Sequence, residues 1–291
     1  MRHHFPDADP PGLIDLTYFA PPETLKASFG PAYLFTADQP LISDTTRADF
    51  PQLRFMVAGT GDYRFHDGGK ARTPECCMLG ATLGATQFEV DGPMQVIGVS
   101  VLPLGWVGLG LGDTSALGDS VHDMSASFPD ITDLLAFFRE TEDPKMAIPA
   151  LWAFLEAHLK PVPSALSTFV TLCDAWLGGD ASPRVEALTA ATGLSSRQVA
   201  RLANRLYGAP PKYLARKFRA LRCAADLALD KQDWMTMVDG AFYDQSHFIR
   251  EIKHFIGLTP HQLKTEPTIV ARLTLQRRAM IGMVAEINRI S

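Results

Sequence analysis

Long apolar runs are missing from this chain. None approaches the roughly 18 residues needed to span a bilayer, and the start, Met1-Arg-His-His-Phe-Pro-Asp7, has no apolar h-region of a signal peptide. Both absences lead us to expect a cytoplasmic protein. Cysteine is scarce too: Cys76, Cys77, Cys173 and Cys223 form no CxxC pair, which excludes the usual thiolate zinc modules. Adjacent cysteines are poorly placed to bridge each other, so all four are expected to be buried or free thiols. His66-Asp67 and His122-Asp123 lack an HxH and a nearby Glu at ligand spacing, and no metal site is expected. The series Gly105-Trp-Val-Gly108-Leu-Gly110-Leu-Gly112 lacks the GxGxxG spacing and the following periodic helix of a dinucleotide site. It reads as a turn or short irregular helix. No catalytic set and no cofactor is assigned, and an enzyme is not expected.

The 291 residues and 46% hydrophobic content are enough for two domains with a sizeable core. The net charge of −5 is unevenly distributed. Between Ser182 and Glu266 there are 13 Lys+Arg against 8 Asp+Glu, a balance of +5, which leaves 14 basic and 24 acidic residues, −10, elsewhere. A basic module that meets a polyanion, attached to an acidic body, has this pattern.

Up to about Asp130 the chain has short apolar runs, such as Leu53-Arg-Phe-Met-Val-Ala58 and Met94-Gln-Val-Ile-Gly-Val-Ser-Val101. Turn signals at Gly59-Thr-Gly-Asp62, Asp67-Gly-Gly69 and Asp91-Gly-Pro93 separate them, predicting a small, mostly β domain, barrel-like or half-jelly-roll-like. Helical spacing follows over Ile131–Arg139, Ala147–Leu159 and Leu166–Leu177, and Gly178-Gly179-Asp180-Ala-Ser-Pro183 marks a boundary. Next come capped helices. Ser182-Pro183 starts one that Gly193 ends, and Ser195 caps another in which Val199, Leu202 and Leu206 face inward while Arg197, Gln198, Arg201 and Arg205 face outward. This is a helix-turn-helix pattern. After Pro210-Pro211, a stretch of about 20 residues would extend roughly 30 Å as helix. A second unit follows, from Trp234 through Gly240-Ala241 to a helix capped by Asp244. In that helix Phe248, Ile252 and Phe255 form the apolar back, and Gln245, Ser246, His247, Arg250 and Lys253 the polar front.

The segment from about Val185 to Leu263 resembles the DNA-binding domain of AraC/XylS transcription regulators. The resemblance rests on Gly193-Leu-Ser-Ser-Arg-Gln-Val-Ala-Arg201, on Gly208-Ala-Pro-Pro211, and on Phe242-Tyr-Asp-Gln-Ser-His-Phe248 with Gly257-Leu-Thr-Pro260. Three positions depart from the family pattern: Ala203 stands for a Phe, Ala241 for a Gly and Met237 for a small Ala. Leu202, Leu206 or Tyr207 must therefore fill the space left at Ala203, and the second turn is expected to be strained or reshaped. The run Val96–Trp106 looks like the N-terminal β domain that accompanies some of these regulators.

The expected architecture is α+β. Residues 1–130 form a β-barrel-like or half-jelly-roll-like sensing or dimerisation domain and 131–179 a helical linker. Residues 180–266 form an all-α domain with two helix-turn-helix units, and 267–291 a helical extension. In that extension Ile269, Leu273, Met280, Val284 and Ile287 make an apolar stripe that packs back on the protein or mediates self-association. The resemblance implies DNA contacts from Ser195, Ser196, Arg197, Gln198 and Arg201 in the first unit. In the second unit it implies contacts from Tyr243, Asp244, Gln245, Ser246, His247, Arg250 and Lys253. His247 has an alternative role as a structural partner beside Phe248, and Lys212, Arg216 and Arg219 are expected to make general electrostatic or intramolecular contacts. The implied partners are double-stranded promoter DNA, a small-molecule effector, a second copy of the chain, and RNA polymerase if the protein activates. Rival readings of the N-terminal domain are a β-barrel enzyme and an effector-free interaction module.

Overall fold

The computed structural model describes residues 14–179, 182–228 and 244–274, with 277, 280, 282–285 and 287 of the tail. Among the described residues eight antiparallel strands form one sheet: β1 (Ile14–Phe19), β2 (Phe29–Ala37), β3 (Leu41–Thr46), β4 (Gln52–Arg64), β5 (Lys70–Arg72), β6 (Cys76–Leu79), β7 (Thr86–Val101) and β8 (Val121–Asp123). The order is β1-β2-β7-β4-β6-β8, with β3 also on β7 and β5 on β4. The sheet is open, which corrects the barrel expectation. Closure needs the two end strands to pair, whereas among the described residues β1 pairs only with β2, and β8, three residues long, pairs only with β6.

Two of the expected turns lie inside strands. Gly59–Asp62 falls within β4 at a register shift, where Gly59 has φ +76° and the strand is pressed against β7. An extra residue lets the strand bend without ending. Asp91–Pro93 falls within β7, where its partner changes from β3 to β2. Only Asp67-Gly-Gly69 is a hairpin turn, joining β4 to β5.

The two-residue period of the strands sorts side chains into two cores. Leu34, Phe55 and Ile97 point to one face, where they meet Trp106 of α1 (Pro103–Gly108), Phe138 of α2 (Ile131–Glu140) and Leu151 of α3 (Ile148–His158). Their neighbours Tyr33, Met56 and Val96 point to the other face. The Gly105–Gly112 series is thus a short helix, α1, with the loop that follows it.

A third core gathers α4 (Ser164–Gly179), α5 (Val185–Thr192), α6 (Ser196–Tyr207), α7 (Pro211–Ala228), α8 (Gln245–Ile256) and α9 (Pro260–Thr265). It also includes Ala48, Phe50 and Leu102 from the sheet region. Residues 131–179 are therefore divided: α2 and α3 pack on the sheet, and α4 packs with the C-terminal helices. The short helix α10 (Ile269–Thr274) lies on β1 and β3. Val270, Met280, Val284 and Ile287 of the extension are buried, so the described part of the stripe packs back on the protein, with Val270 buried where Ile269 is only half-buried.

Candidate nucleic-acid interface

α6 begins with a capping box. Ser195 is extended (φ −66°, ψ 152°), its hydroxyl accepts from the Gln198 N–H, and Gln198 Oε1 accepts from the Ser195 N–H at 3.0 Å. Gly208 ends the helix in the left-handed region. Val199 and Ala203 are fully buried and Leu206 and Tyr207 nearly so, which turns Ser196, Arg197, Arg201 and Arg205 outward. Tyr207 reaches α4, where its hydroxyl donates to Asp174 Oδ1 at 2.6 Å. Gln198 is exposed, but its amide oxygen is engaged in the cap.

α8 repeats the design. Asp244 Oδ1 accepts from the His247 N–H at 2.7 Å, and Gly257 (φ +88°) closes the helix. Phe248, Ile252 and Phe255 are completely buried, while Gln245, Ser246, Arg250 and Lys253 are exposed. His247 is half-buried, with Nε2 4.0 Å from Glu251 Oε1. Tyr243, Met237, the Gly240-Ala241 turn and the helix expected from Trp234 lie outside the described residues.

Four of the five cations of α7 are engaged, Lys212 at its start being the exposed one. On α7, Arg216 grips Glu251 of α8 with two hydrogen bonds (Nε 3.1 Å, Nη2 2.5 Å), and Arg219 stands 4.0 Å from the same carboxylate. Arg222 donates to the Leu177 and Gly178 carbonyls at the end of α4. Lys217 is buried, donating to the carbonyls of Asp49 at 2.8 Å and Thr82 at 2.9 Å, and burial pulls its ammonium down to about 8. In contrast, Arg197, Arg201 and Arg205 of α6 and Arg250 and Lys253 of α8 have no hydrogen bond or ion pair among the described residues.

The sequence reading missed Glu251 and Lys217. Glu251 had a visible signal, since it lies three residues after Phe248 and four before Phe255, on the apolar stripe; a carboxylate there calls for a buried cation. Lys217 had none, because its acceptors come from the N-terminal half of the chain.

The far end of α8 is fastened to the sheet domain. The Phe255 and His254 carbonyls accept from the N–H groups of Ala48 (2.7 Å) and Ala85 (2.8 Å), so groups left unpaired at a helix end find partners in the other domain. Tyr213 donates to the Leu83 carbonyl, which leaves His254 Nε2, 2.8 Å away, to donate to the Tyr213 hydroxyl. His66 lies against the His254 ring and 3.4 Å from Asp119. This fastening leaves the N-terminal turn of α8 facing solvent.

Among the described residues, no group of three or more His, Cys, Asp or Glu side chains could hold a metal ion, and no helix is long and apolar enough to cross a membrane. No protein-family model and no curated protein sequence matches the chain. Solved structures similar in arrangement include an apo variant of ToxT from Vibrio cholerae, at 9% identity over 83% of this chain and 98% of that one, TM-score 0.46. ToxT from Vibrio cholerae bound to a methylnaphthyl butenoic acid matches at 11% identity over 83% of this chain and 100% of that one, TM-score 0.46. The AraC-like transcriptional activator CuxR matches at 14% identity over 74% of this chain and 88% of that one, TM-score 0.33.

Proposed function

We propose that the protein is a sequence-specific DNA-binding transcription regulator of the AraC/XylS type, with α6 and α8 as its two reading helices. The observation that carries this reading is the segregation of cations. Arg216, Lys217, Arg219 and Arg222 of α7 are engaged inside the protein and only Lys212 at its start is exposed, whereas five cations on α6 and α8 stand exposed and unengaged among the described residues, beside capped, polar helix starts. Arginine and lysine so presented suit phosphates and guanine edges, and Gln245 suits adenine. The 18 residues of α7 rise about 27 Å, near the ~34 Å between successive major-groove faces of B-DNA. That length supports insertion of the two helices into consecutive grooves. In this reading residues 180–266 bind promoter DNA, residues 1–130 sense a small molecule or mediate dimerisation, 131–179 transmit or dimerise, and 267–291 are an added closure. The protein acts in the cytoplasm, and contacts RNA polymerase if it activates.

Fluorescence anisotropy with the DNA upstream of its own gene and with scrambled DNA, over a salt series, tests the reading. Tighter binding to the natural sequence is expected, with affinity falling steeply as salt rises. Binding indifferent to both sequence and salt would refute it.

A further inference from the structure

Glu251 occupies a position on α8 where stability alone calls for an apolar side chain. It lies on the buried stripe between Phe248 and Phe255, and its side chain is 5% exposed. The carboxylate takes a two-point grip from Arg216 of α7, with Nε 3.1 Å from Oε2 and Nη2 2.5 Å from Oε1. Arg219 Nη2, a turn further along α7, stands 4.0 Å from Oε2, and His247 Nε2, a turn back along α8, 4.0 Å from Oε1. Arg216 is itself held in place. Its guanidinium lies over the Tyr213 ring, 5.5 Å from the centroid, and Tyr213 donates to the Leu83 carbonyl of the sheet domain.

Burying such a pair adds little stability, because desolvation of both charges offsets their attraction, and a well-packed apolar side chain of similar volume usually does as well. What the pair supplies is direction. Phe248, Ile252 and Phe255 hold α8 by apolar burial, which has no angular preference, whereas a guanidinium–carboxylate fork is planar and fixes both distance and angle. The backbone contacts with the sheet domain lie at the far end of the helix, on the His254 and Phe255 carbonyls. The fork lies nearer the reading turn.

Side chains reach roughly 5–6 Å from a helix axis, so a rotation of about 10° carries the tip of Gln245 about 1 Å. Hydrogen bonds from N–H to oxygen span only about 2.7–3.2 Å, and a shift of that size breaks a two-point contact with a base. We propose that Glu251 is a positioning residue for DNA reading: gripped by Arg216, it fixes the rotation of α8 about its own axis and thereby the register of Gln245 and Ser246 on base edges. This role rests on the DNA-binding reading above; Glu251, being buried, touches no DNA.

The test uses the full chain and duplexes carrying the DNA upstream of its own gene, each with one base pair substituted. Base pairs under α8 are those whose preference Gln245→Ala relaxes, and base pairs under α6 those that Arg197→Ala relaxes. Glu251→Gln keeps the shape and removes the charge, whereas Arg216→Lys keeps the charge and loses the fork. Each should reduce discrimination under α8 by about fivefold or more, the worth of one two-point base contact, and leave discrimination under α6 within about twofold. Ratios of affinities cancel the uniform change that accompanies altered net charge. Leu263→Val trims the same helical core on α9 and should lower the melting temperature with discrimination intact under both helices. Circular dichroism reports whether each variant is folded, and either grip variant alone suffices. Unchanged discrimination under α8 in a folded grip variant, an equal loss under both helices, the same loss in Leu263→Val, or failure of Gln245→Ala to relax any base pair would overturn the role of Glu251. A natural protein that discriminates at no base pair would overturn the regulator reading, and this role with it.

Discussion

Replacing Lys217 by Met removes a cation that is 3% exposed and whose ammonium links α7 to the Asp49 and Thr82 carbonyls. Two opposing effects set the outcome. Leaving two buried carbonyls without their donor costs about 1–3 kcal/mol each. Against this, burial lowers the Lys217 pKa from 10.5 to about 8, and that shift means holding the charged form inside destabilises the fold by about 3 kcal/mol at neutral pH. Met is relieved of that second term, so near pH 7 its net penalty is small, about −1 to +3 kcal/mol. The terms separate with pH. Since the folded-state pKa lies below that of the unfolded chain, the unfolded chain carries the extra proton between about pH 8 and 10.5. Stability of the natural protein rises through that window by up to about 1.4 kcal/mol per unit, and the variant lacks this gain. Urea unfolding of both proteins at matched ionic strength should show the Lys217→Met penalty growing by about 2 kcal/mol between about pH 7.5 and 9.5. Using the difference cancels other groups that titrate there. A penalty flat across that range would mean Lys217 is not a desolvated cation and would refute the account of the domain contact.

Asp174 gives a second pH signature, of opposite slope. Burial pushes its carboxyl up to about 7, although Tyr207 donates to it. A raised carboxylate pKa makes stability fall as pH rises from about 4 to 7, so Asp174→Asn should melt above the natural protein at about pH 8 and level with it near pH 4; equal melting at both values would contradict this. Gly257→Ala must accept φ +88° and bring Cβ within 2.3 Å of Thr45 Cγ2. It should therefore destabilise by about 2 kcal/mol or more and raise protease sensitivity between the sheet and α8, and an unchanged melt would count against the tight docking. In DNA binding, Gln245→Ala and Arg197→Ala should each lose about 1–3 kcal/mol and relax preference at different half-sites. Lys253→Ala should weaken all sequences alike. If the first two leave the ratio of specific to non-specific affinity untouched, they are not base readers.

Much of the candidate interface was legible because it is encoded locally. The caps Ser195 and Asp244 and the apolar phases Val199–Leu206 and Phe248–Phe255 all act within a turn or two of helix, and the structure has each where the spacing predicts it. The β region was legible only in part. Gly59–Asp62 and Asp91–Pro93 have the composition of turns, but they sit within strands because β4 and β7 pair along most of their length, and that pairing holds both through a bend.

For α6 and α8 the sequence by itself determined where the helix starts and which side is greasy, because these depend on residues three or four apart. Tertiary structure alone decided which charges remain available. Lys217 meets a carbonyl 168 positions away and Arg277 a carboxylate 228 positions away, whereas Arg197 and Arg250, no different in composition, meet nothing among the described residues. Burial converts some cations into fasteners and leaves others at the surface, and no local spacing encodes that division, because the desolvating neighbours arrive only when distant segments pack.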